Sequence, residues 1–189
     1  MQKEGQIKVS SENIFPIIKK WLYSDKDIFL REIVANACDA IKKYQSLCSI
    51  GEAENDGIKP RIEIIADKNA KTLTVTDNGI GMTADEVEKY ITQIAFSGAE
   101  EFIEKYKDKS EDNAGIIGHF GLGFYSSYMV SESVEIETLS YQPNSQPVHW
   151  VSDGSTTYEI TDGTRTQHGT SIIMLSLIHI SEPTRLGMI

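Results

Sequence analysis

Excess cationic charge, cysteine clusters and long apolar runs are all missing from this chain. Its 18 Lys and Arg stand against 28 Asp and Glu, a formal net charge of −10. A field of that sign repels phosphate backbones and anionic lipid, which argues against nucleic acid or a membrane as the main partner. An anionic ligand can bind only through local donors and a metal ion. There are two cysteines, Cys38 and Cys48, with no CxxC spacing and no Cys/His cluster. Their pattern argues against a thiolate metal site and fits a reducing, cytoplasmic setting. The opening residues Met1-Gln2-Lys3-Glu4-Gly5-Gln6 contain no apolar signal core. The longest apolar run, near residues 172–180, is far short of the roughly 20 residues that cross a bilayer. Internal repeats, low-complexity tracts, a Gly-Lys-Ser/Thr phosphate loop and a Ser/His/Asp grouping are likewise absent.

What remains is ordinary globular composition: 189 residues, 40% hydrophobic and 24% charged, enough for one domain with a core. Ile7 and Val9 suggest a short strand, and residues 13–22 a helix. Ser24-Asp25-Lys26-Asp27 is a cap-rich break before a long helix from about 28 to 46. Residues 49–60 read as a loop. Residues 61–66 and 72–77 alternate like the strands of an antiparallel hairpin, turning at 67–70. Thr83 with Glu86 forms a capping box that opens a helix to about 94. Residues 100–106 suggest a short helix, and 107–114 are polar. Glycines and aromatics mix over 118–128. Strands are expected at 134–139, 148–152, 157–161 and 170–174. Helices early and an antiparallel meander late make an α+β layered domain.

Three stretches carry candidate chemistry. Asp77-Asn78-Gly79-Ile80-Gly81-Met82 ends the hairpin. It is either a plain turn or a carboxylate beside glycine backbone that a flat purine with an exocyclic amine can approach. On the long helix Glu32, Asn36 and Asp39 are spaced i, i+4, i+7, within roughly 60° of arc, and Lys43 shares the stripe. Leu30, Ile33, Val34, Ala37 and Ile41 lie opposite. The stripe is either the wet face of an amphipathic helix or the wall of a pocket. As a wall it offers a neutral oxygen for Mg²⁺ at Asn36, a cation at Lys43 and a proton acceptor at Glu32. Gly115-Ile116-Ile117-Gly118-His119-Phe120-Gly121-Leu122-Gly123-Phe124 is either a linker or a phosphate cradle leading into a helix. The interleaved large apolar groups favour the cradle. His168-Gly169-Thr170 is a weak signal at a strand start, and His119 and His168 read as surface or internally satisfied histidines.

In order along the chain, Ile28-Phe29-Leu30-Arg31-Glu32-Ile33-Val34-Ala35-Asn36-Ala37-Cys38-Asp39-Ala40, then 77–82, then Ile117 to Ser126, then Gly169-Thr170, resemble the nucleotide site of the heat-shock protein 90 chaperones, the bacterial type being nearest. The wider superfamily includes gyrase B, MutL and sensor histidine kinases. The resemblance covers about residues 1–174. It implies a two-layer α/β sandwich of the Bergerat type, with a mostly antiparallel sheet, helices on one face and an ATP pocket between the layers. Glu32 would be the general base, and Asn36 the ligand of Mg²⁺. Asp77 would accept from the adenine amine, supported through water by Thr170. Gly81 and Met82 would lie along the base. The backbone of Gly118, Phe120, Gly121 and Gly123 would bind phosphate, with Phe124 packed nearby and Asp39 and Lys43 lining the pocket. Residues 96–121 would be a lid. The family's members are long dimers that act on client proteins, so the resemblance implies a homodimer, clients and slow hydrolysis of ATP to ADP.

This sequence departs from the family at the lid, with Phe96 before Ser97-Gly98 where lysine is common, Ala99 where threonine is frequent, and His119 for a usual glutamine. From about residue 175 the tail leaves the family pattern and resembles translated adapter read-through, so 175–189 are expected to be non-native. The competing reading is a nucleotide-binding sensor domain without turnover. A kinase or DNA-repair role fits less well, since the 29–40 phrase belongs to the chaperone branch and the charge is acidic.

Overall fold

The computed structural model describes residues 28–92, 123–155 and 157–176. The expected strand at Ile7 and Val9, the helices at 13–22 and 100–106, the lid, the glycines Gly118 and Gly121, Phe120 and the tail beyond Ser176 lie outside them.

The long helix α1 spans Ile28–Ser49 and runs a turn past its expected end. Its terminator is Gly51 at φ +74. Gly51 N–H donates to the Cys48 carbonyl at 3.2 Å and Glu52 N–H to the Leu47 carbonyl at 2.9 Å, a Schellman closure that needs a left-handed residue. Strands β1 (Ile62–Asp67) and β2 (Thr72–Asp77) form the expected hairpin, with Ile62 opposite Asp77. Asp67 Oδ1 closes the turn by accepting from the amides of Asn69 and Ala70 at 2.8 and 3.0 Å. Helix α2 (Ala84–Ile91) opens on the expected box. Thr83 Oγ1 accepts from Glu86 N–H at 3.3 Å, and Glu86 Oε2 from Thr83 N–H at 2.8 Å. A 3-10 helix at Gly123–Met129 leads into β3 (Ser131–Leu139), followed by β4 (Val148–Ser152), β5 (Glu159–Asp162) and β6 (Gly169–Ser176).

The sheet is antiparallel throughout, in the order β1-β2-β6-β3-β4-β5. The α+β class is as expected, but the late strands are not a simple meander, because β6 returns to the middle between β2 and β3. It also extends to Ser176, with Leu175 paired to Thr72 and Ser133. A central strand satisfies both of its backbone edges, which a fourth meander strand would not.

Period-two alternation decides which face is buried. Val75, Val134, Ile136, Val148, Trp150 and Met174 point into one core with Ile33 of α1, Val87 and Ile91 of α2, and Phe124, Tyr125 and Tyr128 of the 3-10 helix. The described helices therefore cover one face. The other face mixes polar groups with the exposed Ile65 and Leu175. There Thr76 and Ser171 share a hydrogen bond of 2.9 Å and Glu135 meets His149 at 3.2 Å.

Candidate functional site

A polar row crosses the sheet at the end where β2 stops. Asp77 is opposite Thr170 on β6, and Thr170 is opposite Thr138 on β3. All three have the parity of the core residues beside them, and all are buried, at 6%, 6% and 0% exposure. Buried polar groups need partners. Thr138 and Thr170 share a hydrogen bond of 2.9 Å, and Thr138 Oγ1 accepts from Met82 N–H at 3.0 Å. Asp77 Oδ1 accepts from Gly79 N–H at 2.7 Å. Burial pushes the Asp77 carboxyl up to about 6, against the opposing pull of the Gly79 amide, the Arg165 guanidinium, the Thr170 amide and His168. The carboxylate is thus held by the backbone amides of Gly79 and Thr170.

The segment 78–82 that follows is clamped from both sides. Ile80 N–H donates to the Ala40 carbonyl of α1 at 3.0 Å, and the Ile80 carbonyl accepts from Tyr141 N–H at 2.9 Å. A Cβ on Gly79 would sit 2.5 Å from the Ala40 carbonyl carbon. Gly81 has φ +64, and a Cβ there would run into the Leu139 carbonyl oxygen. Glycine is needed at both positions, by lack of room at the first and by backbone conformation as well at the second.

On α1 the stripe is not a uniformly wet face. Asn36 is exposed, Glu32 is half-buried and Asp39 is 5% exposed. Burial lowers the Lys43 pKa, with Asp39 and Glu86 near enough to oppose the shift. Glu32 and Asn36 face the start of the 3-10 helix. A Cβ on Gly123 would meet Glu32 Oε2 at 2.8 Å and Asn36 Nδ2 at 3.5 Å. A carboxylate and a carboxamide thus converge on the last glycine of the candidate phosphate loop. Phe124 turns the other way, into the core, edge-on to Trp150 with ring centroids 5.7 Å apart.

The structure thus gathers two clusters: Asp77, Gly81, Met82 and Thr170 around the sheet end, and Glu32, Asn36 and Gly123 along α1. Asp39 and Lys43 lie on α1 beside the α2 start. Sequence reasoning missed Thr138. Its signal was a polar residue at the inward parity of Val134-Glu135-Ile136-Glu137-Thr138. It also passed over Arg165, which donates to Ser171 Oγ at 2.6 Å and to the Asp77 carbonyl at 3.2 Å. Among the described residues, no group of three or more His, Cys, Asp or Glu side chains could hold a metal ion, and no helix is long and apolar enough to cross a membrane. A cleft of about 290 Å³ lies between the C-terminal half of α1 and the loop to β1, lined by Tyr44, Cys48, Ile58 and Asn78 among others. None of Glu32, Asn36, Asp39, Asp77 and Thr170 lines it.

Comparison with known proteins gives the family. The chain is 53% identical over 182 residues to the chaperone protein HtpG of Porphyromonas gingivalis, covering 96% of this chain and 26% of that protein. It is 53% identical over 174 residues to HtpG of Bacteroides thetaiotaomicron, covering 92% and 25%. Against the mitochondrial TNF receptor-associated protein 1 homolog of Dictyostelium discoideum it is 40% identical over 176 residues, covering 92% and 25%. The chain therefore spans about a quarter of the length of these curated relatives. Residues 24–169 match the profile described as histidine kinase-, DNA gyrase B- and HSP90-like ATPase, a span that takes in both clusters except Thr170. The chain belongs to the histidine kinase-, DNA gyrase B- and HSP90-like ATPase family.

Proposed function

We propose that this chain binds ATP with Mg²⁺ and hydrolyses it slowly, as the nucleotide module of a homodimeric, cytoplasmic chaperone that acts on unfolded client proteins. The observation that carries the reading is Asp77, a buried carboxylate with one oxygen engaged by Gly79 N–H at 2.7 Å. The second oxygen matches the exocyclic amine of adenine, and Thr170 and Thr138 fix the polar row beside it. Gly81, which has no side chain, and Met82 would flank the base.

Glu32 would take a proton from the attacking water, a role supported by its half-buried position beside Gly123. The backbone of 118–123 would hold phosphate oxygens. The exposed Asn36 offers a neutral oxygen next to that carboxylate, which suits a hard cation. Mg²⁺ is commonly held by phosphates and one or two side chains. When bound, Mg²⁺ would neutralise charge on the phosphates. Asp39 and Lys43 would line the same pocket, and Phe124 would support the loop from the core. Two free cysteines, Cys38 and Cys48, suit a reducing compartment.

The test is titration of this chain with ATP, with and without Mg²⁺, alongside phosphate release. Saturable binding that strengthens with Mg²⁺, and slow release abolished in Glu32→Ala, are expected. No binding would overturn the reading. Tight binding with no turnover, in a longer chain as well, would leave a sensor instead of an ATPase.

A further inference from the structure

The His168 ring is held between two oxygens. Its Nδ1 is 2.6 Å from the Gly79 carbonyl oxygen, and its Nε2 is 3.0 Å from Asp56 Oδ2. A carbonyl and a carboxylate only accept hydrogen bonds. The Gly79 contact is a hydrogen bond only when Nδ1 carries the proton, so the ring donates to that carbonyl. The Tyr44 ring lies against it, with centroids 4.2 Å apart and planes at 40°. Tyr44 is itself fixed, since its hydroxyl donates to the Glu54 carbonyl at 2.8 Å and burial pushes its pKa up to about 12.

The bond to Gly79 matters because of what the same residue does on its other side. Gly79 N–H donates to Asp77 Oδ1 and Gly79 C=O accepts from His168. Gly169, next in sequence, has φ +118 and no room for a Cβ against the Asp77 carbonyl. His168 is therefore tied by backbone to β6 and by side chain to the residue that orients the Asp77 carboxylate.

We propose that His168 is a positioning residue of the adenine site: anchored by Asp56, it clamps Gly79 through Nδ1–H and so fixes Asp77 for the purine amine. The proposal rests on the ATP reading above. Arg165 Nη2 also reaches the His168 carbonyl at 3.5 Å.

ADP affinity of this chain tests the clamp. His168→Phe keeps the ring stack but has no N–H, and should bind roughly tenfold more weakly, the worth of one lost hydrogen bond beside the site. His168→Gln can still donate to Gly79, and should restore binding. Parent-like affinity in His168→Phe, or an equal loss in His168→Gln, overturns the proposal. Long-range ¹H–¹⁵N spectra of the nucleotide-free chain test the clamp apart from ligand binding. Nδ1 of His168 should read as protonated, and a bare Nδ1 overturns the clamp. If no form binds ADP but the spectra are as expected, the ATP reading fails and the proposed role in it falls too, while the Nδ1–H bond to Gly79 stands.

Discussion

Replacing Asp77 by Asn should push binding and stability in opposite directions. In the folded chain the Asp77 carboxyl is raised from 3.8 to about 6, chiefly by burial. A shift of about two units corresponds to about 3 kcal/mol, at about 1.36 kcal/mol per unit. The sign follows from proton linkage: between those two values the folded state holds a proton that the unfolded chain has released. The penalty is therefore absent below about pH 4, grows as pH rises toward 6, and is fully present above it. Asn carries no charge and escapes it. The stability of Asp77→Asn relative to the parent should thus climb by about 3 kcal/mol between pH 4 and pH 8, or several degrees in Tm for a domain of this size. Binding should go the other way. Gly79 N–H already needs an acceptor at Oδ1, at 2.7 Å. An Asn that keeps this bond turns its NH₂ toward the purine amine, donor against donor. The loss of a charge-assisted bond and the unpaired donors left behind should cost about 3 kcal/mol, roughly a hundredfold in affinity. Urea unfolding at several pH values and ATP titration at pH 8 read the two halves. A stability difference that does not vary with pH refutes the desolvation argument. Undiminished affinity refutes the adenine assignment.

Glu32→Ala should leave ATP affinity within a few-fold while turnover falls by about 10²–10⁴, the usual span for losing a general base; phosphate release against calorimetric affinity separates the two. Gly81→Ala asks a residue at φ +64 to carry a Cβ into the Leu139 carbonyl; it should cost more than about 2 kcal/mol in urea unfolding, and a loss under 1 kcal/mol would contradict the packing described. Thr138→Val keeps the shape but strips a partner from Met82 N–H and from the Thr170 hydroxyl. It should destabilise by about 1–3 kcal/mol and weaken nucleotide binding, and a neutral result on both would remove Thr138 from the site.

Local rules were readable wherever one short segment settles its own geometry. The β1–β2 hairpin, with its Asp67-Lys68-Asn69-Ala70 turn, follows from alternation and an Asp that can bond two amides. The start of α2 follows from Thr83 and Glu86, which satisfy each other's backbone. The end of α1 lies at Ser49, three residues past the expected one, because the glycine that closes it is Gly51. Motif order along the chain supplied the family, and the profile match and the relatives at 53% identity bear that out.

Sequence by itself determined the element types, the amphipathic α1 and the chemistry available, because propensity, capping and side-chain type act over a few residues. Only the tertiary structure decided that β6 threads between β2 and β3, since strand pairing across 95 residues, as between Thr76 and Ser171, leaves no local trace. That one choice of neighbour aligns Asp77, Thr170 and Thr138 in a single buried row. It also sets His168 against Gly79. A carboxylate's pKa and a histidine's partners depend on what surrounds them in three dimensions, and the linear order of residues does not state it.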